Sequence, residues 1–272
     1  SATAWSSFAT GMNPAKHGIF DFWRKGSSDD PSLWRLPISS RDIGAPTLWQ
    51  RLSRAGRRVA VMNVPVTYPP AEVNGILIAG MMTPSDDAAY TQPPALKEEI
   101  LAKFERYTPA PFEAITQSKA FLKNAIYWVK QREKVHRYLW DKEKWDFFMN
   151  VVQAPDAIQH FFITFFDPQH PDYNHPQAEG FRKLALTAYK EMDDIIAQRR
   201  ALLDDNTVLI VMSDHGAGEA RWWFNLNLWL HHQGLLAFQE MSGGRSRLAK
   251  LGITETGVAN LLRHLDIFQL RG

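Results

Sequence analysis

Two short polar segments combine the residue types and the spacing of a divalent-metal site. Asp156 and His160 are four residues apart, so a helix would place them on one face, where a single cation could contact both. Asp214 and His215 are adjacent, and glycines two and four positions after the aspartate permit a sharp bend that turns both side chains toward one site. Each pair also has an ordinary explanation, because Asp is a common helix cap and His packs as a ring or is solvated.

The two pairs together form a mixed oxygen and nitrogen ligand set, which suits Zn²⁺ and tolerates Mn²⁺ or Fe²⁺. The sequence contains no cysteine, which excludes thiolate ligands and disulfides. In two-metal enzymes, ions about 3.5–4 Å apart hold the attacking and leaving oxygens of a phosphoryl transfer. The residues therefore leave two hypotheses open: a two-metal phosphoryl-transfer enzyme, and a non-catalytic binding or structural domain.

A hydroxyl-rich segment, Ser1–Gly11, opens the sequence and is predicted to be helical up to Thr10. The Ser1 hydroxyl would then lie at a helix N-terminus, where free N–H groups and the helix dipole favour an alkoxide or a phosphate. A nearby cation would favour ionisation of the hydroxyl further. From the residues alone, the simpler explanation is that Ser1 is an N-cap.

Short apolar runs alternate with longer amphipathic stretches, which predicts βαβ units and a parallel sheet. The predicted strands are Arg58–Val64, Gly75–Ala79, Phe147–Val152 and Thr207–Met212. In α/β sheets, ligands bind where the chain leaves the carboxyl ends of the strands. Both candidate metal-binding pairs, Asp156 with His160 and Asp214 with His215, follow the carboxyl end of a predicted strand.

Longer amphipathic stretches predict the helices that flank this sheet. They are Thr47–Ala55, a helix opened by Pro93 and Pro94 that continues to about Arg106, Ser118–Lys142, Ala157–Phe166 and Glu179–Leu203. With 272 residues and 45% hydrophobic content, one large domain is expected over 1–272. Residues 85–145 are predicted to form a helical cap insertion, with a core role as the alternative, and residues 234–272 an incomplete helical tail.

The charge balance argues against two classes of partner. The formal net charge is +2, 22% of the residues are charged, and no basic block or acidic tail is present. This composition gives no case for a nucleic-acid polymer or for a membrane surface. The longest apolar runs are also too short to span a bilayer. We therefore expect neither partner; if the site transfers phosphoryl groups, its partner would be a small phosphorylated substrate, while the oligomeric state and the compartment stay open.

Several motifs, in a fixed order from Ser1 to Leu236, resemble those of the alkaline phosphatase superfamily. Within it, the sequence is similar to the type I phosphodiesterase/nucleotide pyrophosphatase family and to its predicted phosphohydrolase/phosphomutase branch. The motifs are Ser1-x-x-Ala4-Trp5-Ser6-Ser7-Phe8-Ala9-Thr10-Gly11, His17-Gly18-Ile19, Asn63-Val64-Pro65-x-Thr67-Tyr68-Pro69-Pro70, Asp156-x-x-x-His160, Ser213-Asp214-His215-Gly216 and Asn225-Leu226-Asn227-x-Trp229-Leu230.

The resemblance implies a role for each matching residue. Asp156 and His160 would bind one divalent ion and Asp214 and His215 the other, with Zn²⁺ as the expected metal and Mn²⁺ as the alternative. Ser1 aligns with the nucleophile and would also touch the second metal. The reaction it implies is hydrolysis of a phosphate ester, diester before monoester, through a covalent phospho-Ser intermediate. Phosphomutase, phosphotransferase and sulfatase activities on the same scaffold are the alternatives.

The sequence also departs from the family pattern. The family has a metal-binding Asp upstream of the nucleophile and a metal-binding His near its C-terminus, and neither motif is matched. The expected fold is therefore a three-layer α/β/α sandwich of the alkaline phosphatase type, mostly parallel, lacking its first strand and its C-terminal segment. Nucleotide diesterases carry an Asn where Phe22 stands, so the neighbouring Asp21 and the strand-end Asn63 are the candidate substrate contacts. His17 is expected to be structural.

Overall fold

The computed structural model describes residues 1–26, 35–110, 116–218 and 224–238. The chain divides into two units, residues 1–219 and residues 220–272. In the second unit the described part contains one helix, α8 (Leu226–His232), whose first turn is capped by the Asn225 side chain. Among the described residues, no helix is both long and apolar enough to cross a membrane.

The first unit is built on a four-stranded sheet. Its strands are β3 (Val59–Val64), β4 (Gly75–Ala79), β5 (Thr91–Gln92) and β6 (Phe147–Asn150), and their order in the sheet is β5-β4-β3-β6. β3 pairs in parallel with both β4 and β6, and only β5 is antiparallel. The central strand β3 is buried along its whole length, as its continuous apolar sequence predicts. A separate antiparallel pair joins β1 (Trp23–Lys25) to β2 (Arg35–Pro37).

Helices cover both faces of this sheet. The helices are α1 (Ala2–Thr10), α2 (Pro14–His17), α3 (Leu48–Arg54), α4 (Ala95–Phe104), α5 (Lys119–Lys142), α6 (Ala154–Phe162) and α7 (Ala178–Arg200). Alternate residues of β3 point to opposite faces, so Val61 packs in the cluster that contains Ala9 of α1 and Trp49 of α3. Met62 packs in the cluster that contains α4 and Leu139 of α5. This confirms the α/β architecture with a mostly parallel sheet between helical layers.

The helix starts follow from local sequence. Ser1 caps α1, since its Oγ accepts a hydrogen bond from the Ala4 N–H at 3.2 Å. Gly11 ends α1 with φ of 67°, a left-handed conformation that glycine adopts without steric cost. Thr47 and Gln50 form a reciprocal capping box at the start of α3. The helix predicted from Ser1 to Thr10 is therefore confirmed to within one residue.

The predicted strand Thr207–Met212 is wrong. The segment makes no strand pairing among the described residues, and the side chains of Val208 and Ile210 are 82% and 75% exposed. An apolar, β-prone segment becomes a strand only when a neighbouring strand supplies its ladder hydrogen bonds. β6 pairs with β3 on one side, and this segment does not pair with its other edge. The sequence therefore indicated the β-propensity of this segment, but it could not indicate whether another strand pairs with it.

The predicted cap over residues 85–145 stays a prediction. In the structure, α4 and α5 pack against one face of the sheet, and α5 also forms a second core with α6 and α7 around Leu122, Phe162 and Phe181. Of the predicted tail over 234–272, residues 239–272 lie outside the described part of the chain.

Candidate metal and nucleophile site

The start of α6 places the first ligand pair at the carboxyl end of β6. Asp156 lies in the first helical turn, where a carboxylate is favoured by the helix dipole. His160 lies one turn later, and its Nε2 is 3.4 Å from Asp156 Oδ1. The predicted common helix face is therefore present, with both side chains partly open to solvent.

The second pair meets the first although it is far away in sequence. His215 Nε2 is 3.4 Å from Asp156 Oδ1 and 3.5 Å from Asp214 Oδ2. The Asp214 side chain is only 12% exposed, so its carboxylate is the most enclosed of the four candidate ligands. The structure thus brings the two predicted pairs into one cluster.

A hydrogen bond fixes the tautomer of the His215 ring. Nδ1 is 2.9 Å from the carbonyl oxygen of Gly216, and since a carbonyl only accepts, Nδ1 carries the proton and donates it. In a neutral ring, Nε2 then presents a lone pair toward the carboxylates of Asp156 and Asp214. The ring nitrogen and the two carboxylates are groups of the kind that bind a divalent metal ion.

Ser1 lies beside the same cluster. Its backbone nitrogen contacts the Asp214 carboxylate, and its hydroxyl oxygen caps α1. The hydroxyl is therefore held at the N-terminus of a nine-residue helix, next to a candidate metal ligand. Ser1 is thus the N-cap that its position predicted, and its role as nucleophile stays a prediction.

The donor chemistry of the cluster fits a divalent metal ion, but its arrangement is not preorganised for one. Two carboxylates and two imidazoles suit Zn²⁺ or Mn²⁺. In the described part of the chain, however, no three or more His, Asp and Glu side chains form a group ready to hold an ion. The four side chains contact one another in carboxylate–imidazole pairs instead, so binding an ion requires these pairs to open.

His17 is structural, and its hydrogen bonds show why. The Ile19 N–H donates to Nδ1 at 3.1 Å, so Nε2 carries the proton and donates to Ser7 Oγ at 2.9 Å. The ring is fully buried, and burial lowers the pKa of His17 below its usual value. A neutral ring that donates to Ser7 cannot act as its base, so this pair locks the loop after α1.

The two candidate substrate contacts have different surroundings. Asp21 is exposed, and its Oδ1 accepts the Phe22 N–H at 2.6 Å. Asn63 is fully buried at the end of β3 with φ of 60°, and its Oδ1 accepts from the Tyr107 hydroxyl at 2.7 Å. His136 Nε2 lies 3.3 Å from the same oxygen. Asn63 thus belongs to an internal polar network, and substrate contact by either residue stays a prediction.

Sequence reasoning missed this buried network. Arg132 and His136 lie on the long amphipathic helix α5, yet they are only 5% and 2% exposed. Polar residues on such a helix ordinarily face solvent, so their spacing gave no sign of burial. The available signal is weak: Arg132 and His136 are four residues apart, and the apolar Leu139 follows one turn after His136 on the same face.

Comparison with known proteins supports the motif assignment. The sequence model of the family described as type I phosphodiesterase/nucleotide pyrophosphatase matches residues 1–264. No curated protein and no solved structure gives a significant match. The matched range includes all five predicted catalytic and metal-site residues. The chain therefore belongs to the type I phosphodiesterase/nucleotide pyrophosphatase family of the alkaline phosphatase superfamily.

Proposed function

We propose that this chain forms the catalytic core of a metal-dependent hydrolase that cleaves small phosphate diesters through a covalent phospho-Ser1 intermediate. The family is one of phosphoric ester hydrolases and is typically metal-dependent. The observation that carries the proposal is the convergence of Asp156, Asp214 and His215 beside Ser1 at the carboxyl edge of the sheet. In the non-catalytic alternative, the aspartates are helix caps and the histidines are packed or solvated rings. That alternative does not require the four side chains to lie close together.

The proposed ligands divide by element. Asp156 and His160, both on α6, would hold one divalent ion, while Asp214 and His215 would hold the second together with the Ser1 hydroxyl. Zn²⁺ is the proposed metal, with Mn²⁺ as the alternative. When bound, the ions supply Lewis-acid stabilisation of the phosphoryl oxygens and of the leaving oxygen.

The protein's own contribution centres on Ser1. Its Oγ would attack phosphorus in line and lose its proton, the Oγ–P bond forms, and the bond from phosphorus to the leaving oxygen breaks, with that oxygen taking up a proton to leave as the alcohol. The N–H groups of the first turn of α1 face the transferred phosphoryl group, and the helix dipole favours its negative charge. Water then cleaves the Oγ–P bond and restores the hydroxyl. Asp21 and Asn63 are the proposed substrate contacts; Asp21 is exposed, whereas Asn63 would have to leave its internal hydrogen bonds to reach a substrate.

The proposal includes two further metal ligands, an Asp and a His. The family pattern has both, and no described residue of this chain takes their place. The 272-residue chain alone is therefore expected to bind metal weakly and to turn over slowly.

A substrate panel with matched variants tests the proposal. The metal-loaded protein should hydrolyse bis-p-nitrophenyl phosphate faster than p-nitrophenyl phosphate, and p-nitrophenyl sulfate least. Ser1→Ala should abolish turnover while keeping the metal, and Ser7→Ala, a serine of the same helix that is bonded to His17, should keep most of the activity. Fast sulfate turnover without phosphate turnover would establish a sulfatase instead. Undiminished turnover by Ser1→Ala would contradict the assigned nucleophile.

A further inference from the structure

A small cavity separates α5 from the start of α6, the helix that carries Asp156 and His160. Arg132, Glu133 and His136 line it from α5, and Gln153 lines it from the position that precedes α6. The cavity offers about 20 Å³ to the centres of water-sized spheres. About 10–15 Å³ of such space is enough for one water molecule.

Two buried polar atoms of the lining residues have no protein partner among the described residues. The Nη2 group of Arg132 donates to the carbonyl oxygens of Thr108 at 3.1 Å and Pro109 at 2.6 Å, while its Nε–H has no acceptor. The Oε1 of Gln153 is likewise buried without a donor. One donor and one acceptor that both lack partners are complementary through a single water, and each is costly to leave unpaired.

His136 adds a second acceptor. Asn63 Oδ1 already accepts from the Tyr107 hydroxyl and can only accept from the His136 ring, so His136 Nε2 carries a proton. Burial, followed by the positive charges of Arg132 and Arg199, lowers the pKa of His136 well below its usual value. The ring is therefore neutral, and its Nδ1 keeps a lone pair.

We propose that one water molecule in this partly open cavity accepts the Arg132 Nε–H and donates to Gln153 Oε1, and thereby positions the metal-ligand helix α6. The Gln153 side chain makes no capping hydrogen bond to its own helix, so it is free to be held from α5. Arg132 and Gln153 are then positioning residues for Asp156, three residues further on. This second part rests on the proposed metal site; the water link itself does not.

The polarity of the lining favours water over a halide ion. A halide would accept from Arg132, but it would also face the oxygen of Gln153 and the nearby carboxylate of Glu133, which is already paired with Arg199 at 2.8 Å. Water satisfies a donor and an acceptor at once. Replacing chloride by gluconate at equal ionic strength should therefore leave the unfolding midpoint unchanged, and a saturable rise with chloride would overturn the assignment of water.

A double-mutant cycle tests the water link. Gln153→Met keeps the side-chain length and removes Oε1, and Arg132→Met removes the Nε–H together with the Nη2 donor to Thr108 and Pro109, a loss common to both arms of the cycle. Because each single change breaks the same bridge, we expect their effects on the unfolding equilibrium constant to be non-additive by about threefold or more. Arg137→Met, on the same helix but exposed and paired with Asp141, should be additive with Gln153→Met. Additive effects of Arg132→Met and Gln153→Met would overturn the link.

Metal affinity tests the positioning role. Gln153→Met should weaken Zn²⁺ binding by about 10-fold, and Gln153→Glu, which keeps an acceptor oxygen, should restore it. Coupling in the cycle together with unchanged Zn²⁺ affinity in Gln153→Met would overturn the positioning role. If the parent protein binds no metal while the coupling is present, the proposed function fails and the water link stands.

Discussion

Acid should destabilise this protein through His136 in a way that a single substitution reveals. The folded protein holds the ring neutral, because burial and the nearby Arg132 and Arg199 lower the pKa of His136 well below 6.5. The unfolded chain takes up a proton as the pH falls through 6.5. Since the unfolded state then binds more protons, the free energy of unfolding falls with the pH.

The size of this effect follows from linkage. With a pKa of 6.5 in the unfolded chain, His136 accounts for a loss of at most about 2 kcal/mol between pH 7 and pH 5, the limit reached if the folded ring stays unprotonated. His136→Gln keeps an N–H for Asn63 and removes the titration. The variant should therefore lose less stability than the parent on going from pH 7 to pH 5, by up to the same amount.

Urea unfolding at pH 7, 6 and 5 measures these differences directly. Tyr107→Phe is the matched control, since it removes the other hydrogen bond to Asn63 without removing a group that titrates in this range. It should lower stability by a similar amount at each pH. An equal pH-dependent loss in the parent and in His136→Gln would refute the assignment of a buried neutral ring.

Three further predictions concern packing and charge. Gly80→Ala should lower the free energy of unfolding by about 2–3 kcal/mol, because an added Cβ would lie 2.3 Å from a backbone oxygen at the end of β3. Gly216→Ala is the control: open space surrounds Gly216, so urea unfolding should show almost no change. Phe162→Ala should cost about 3–5 kcal/mol in the same assay, and Phe20→Ala, 70% exposed, less than about 0.5 kcal/mol; equal costs would contradict the core assignment. Glu133→Gln should lower the free energy of unfolding by about 3 kcal/mol, because it removes the negative charge that pairs with Arg199 on α7, whose side chain is only 12% exposed. A loss below about 1 kcal/mol would show that the pair is solvated.

The parts of the fold that local sequence controls were predictable. Gly75–Ala79 is found with the predicted bounds, and α5 begins one residue after Ser118, the first residue of the predicted helix. These elements carry their own signals, since hydroxyl caps and continuous apolar runs act over a few residues. The face shared by Asp156 and His160 was predictable for the same reason, because a helix fixes it.

Non-local pairing was not predictable from the residues alone. Thr207–Met212 has the composition of a strand, but whether it pairs depends on an edge elsewhere in the chain. The burial of Arg132 and His136 depends in the same way on what α5 packs against. The meeting of His215 and Asp156 was expected because both follow predicted strand ends, although the segment before His215 forms no strand among the described residues.

The central claim is that Ser1 is the nucleophile of a metal-dependent phosphoryl transfer. Acid quenching of the metal-loaded protein during turnover of bis-p-nitrophenyl phosphate, followed by peptide mass spectrometry, tests it most directly. We expect a phosphoryl adduct on Ser1, and this adduct should be absent when the metal is chelated before substrate is added. Turnover with an unmodified Ser1, or with the phosphoryl group on another residue, would contradict it.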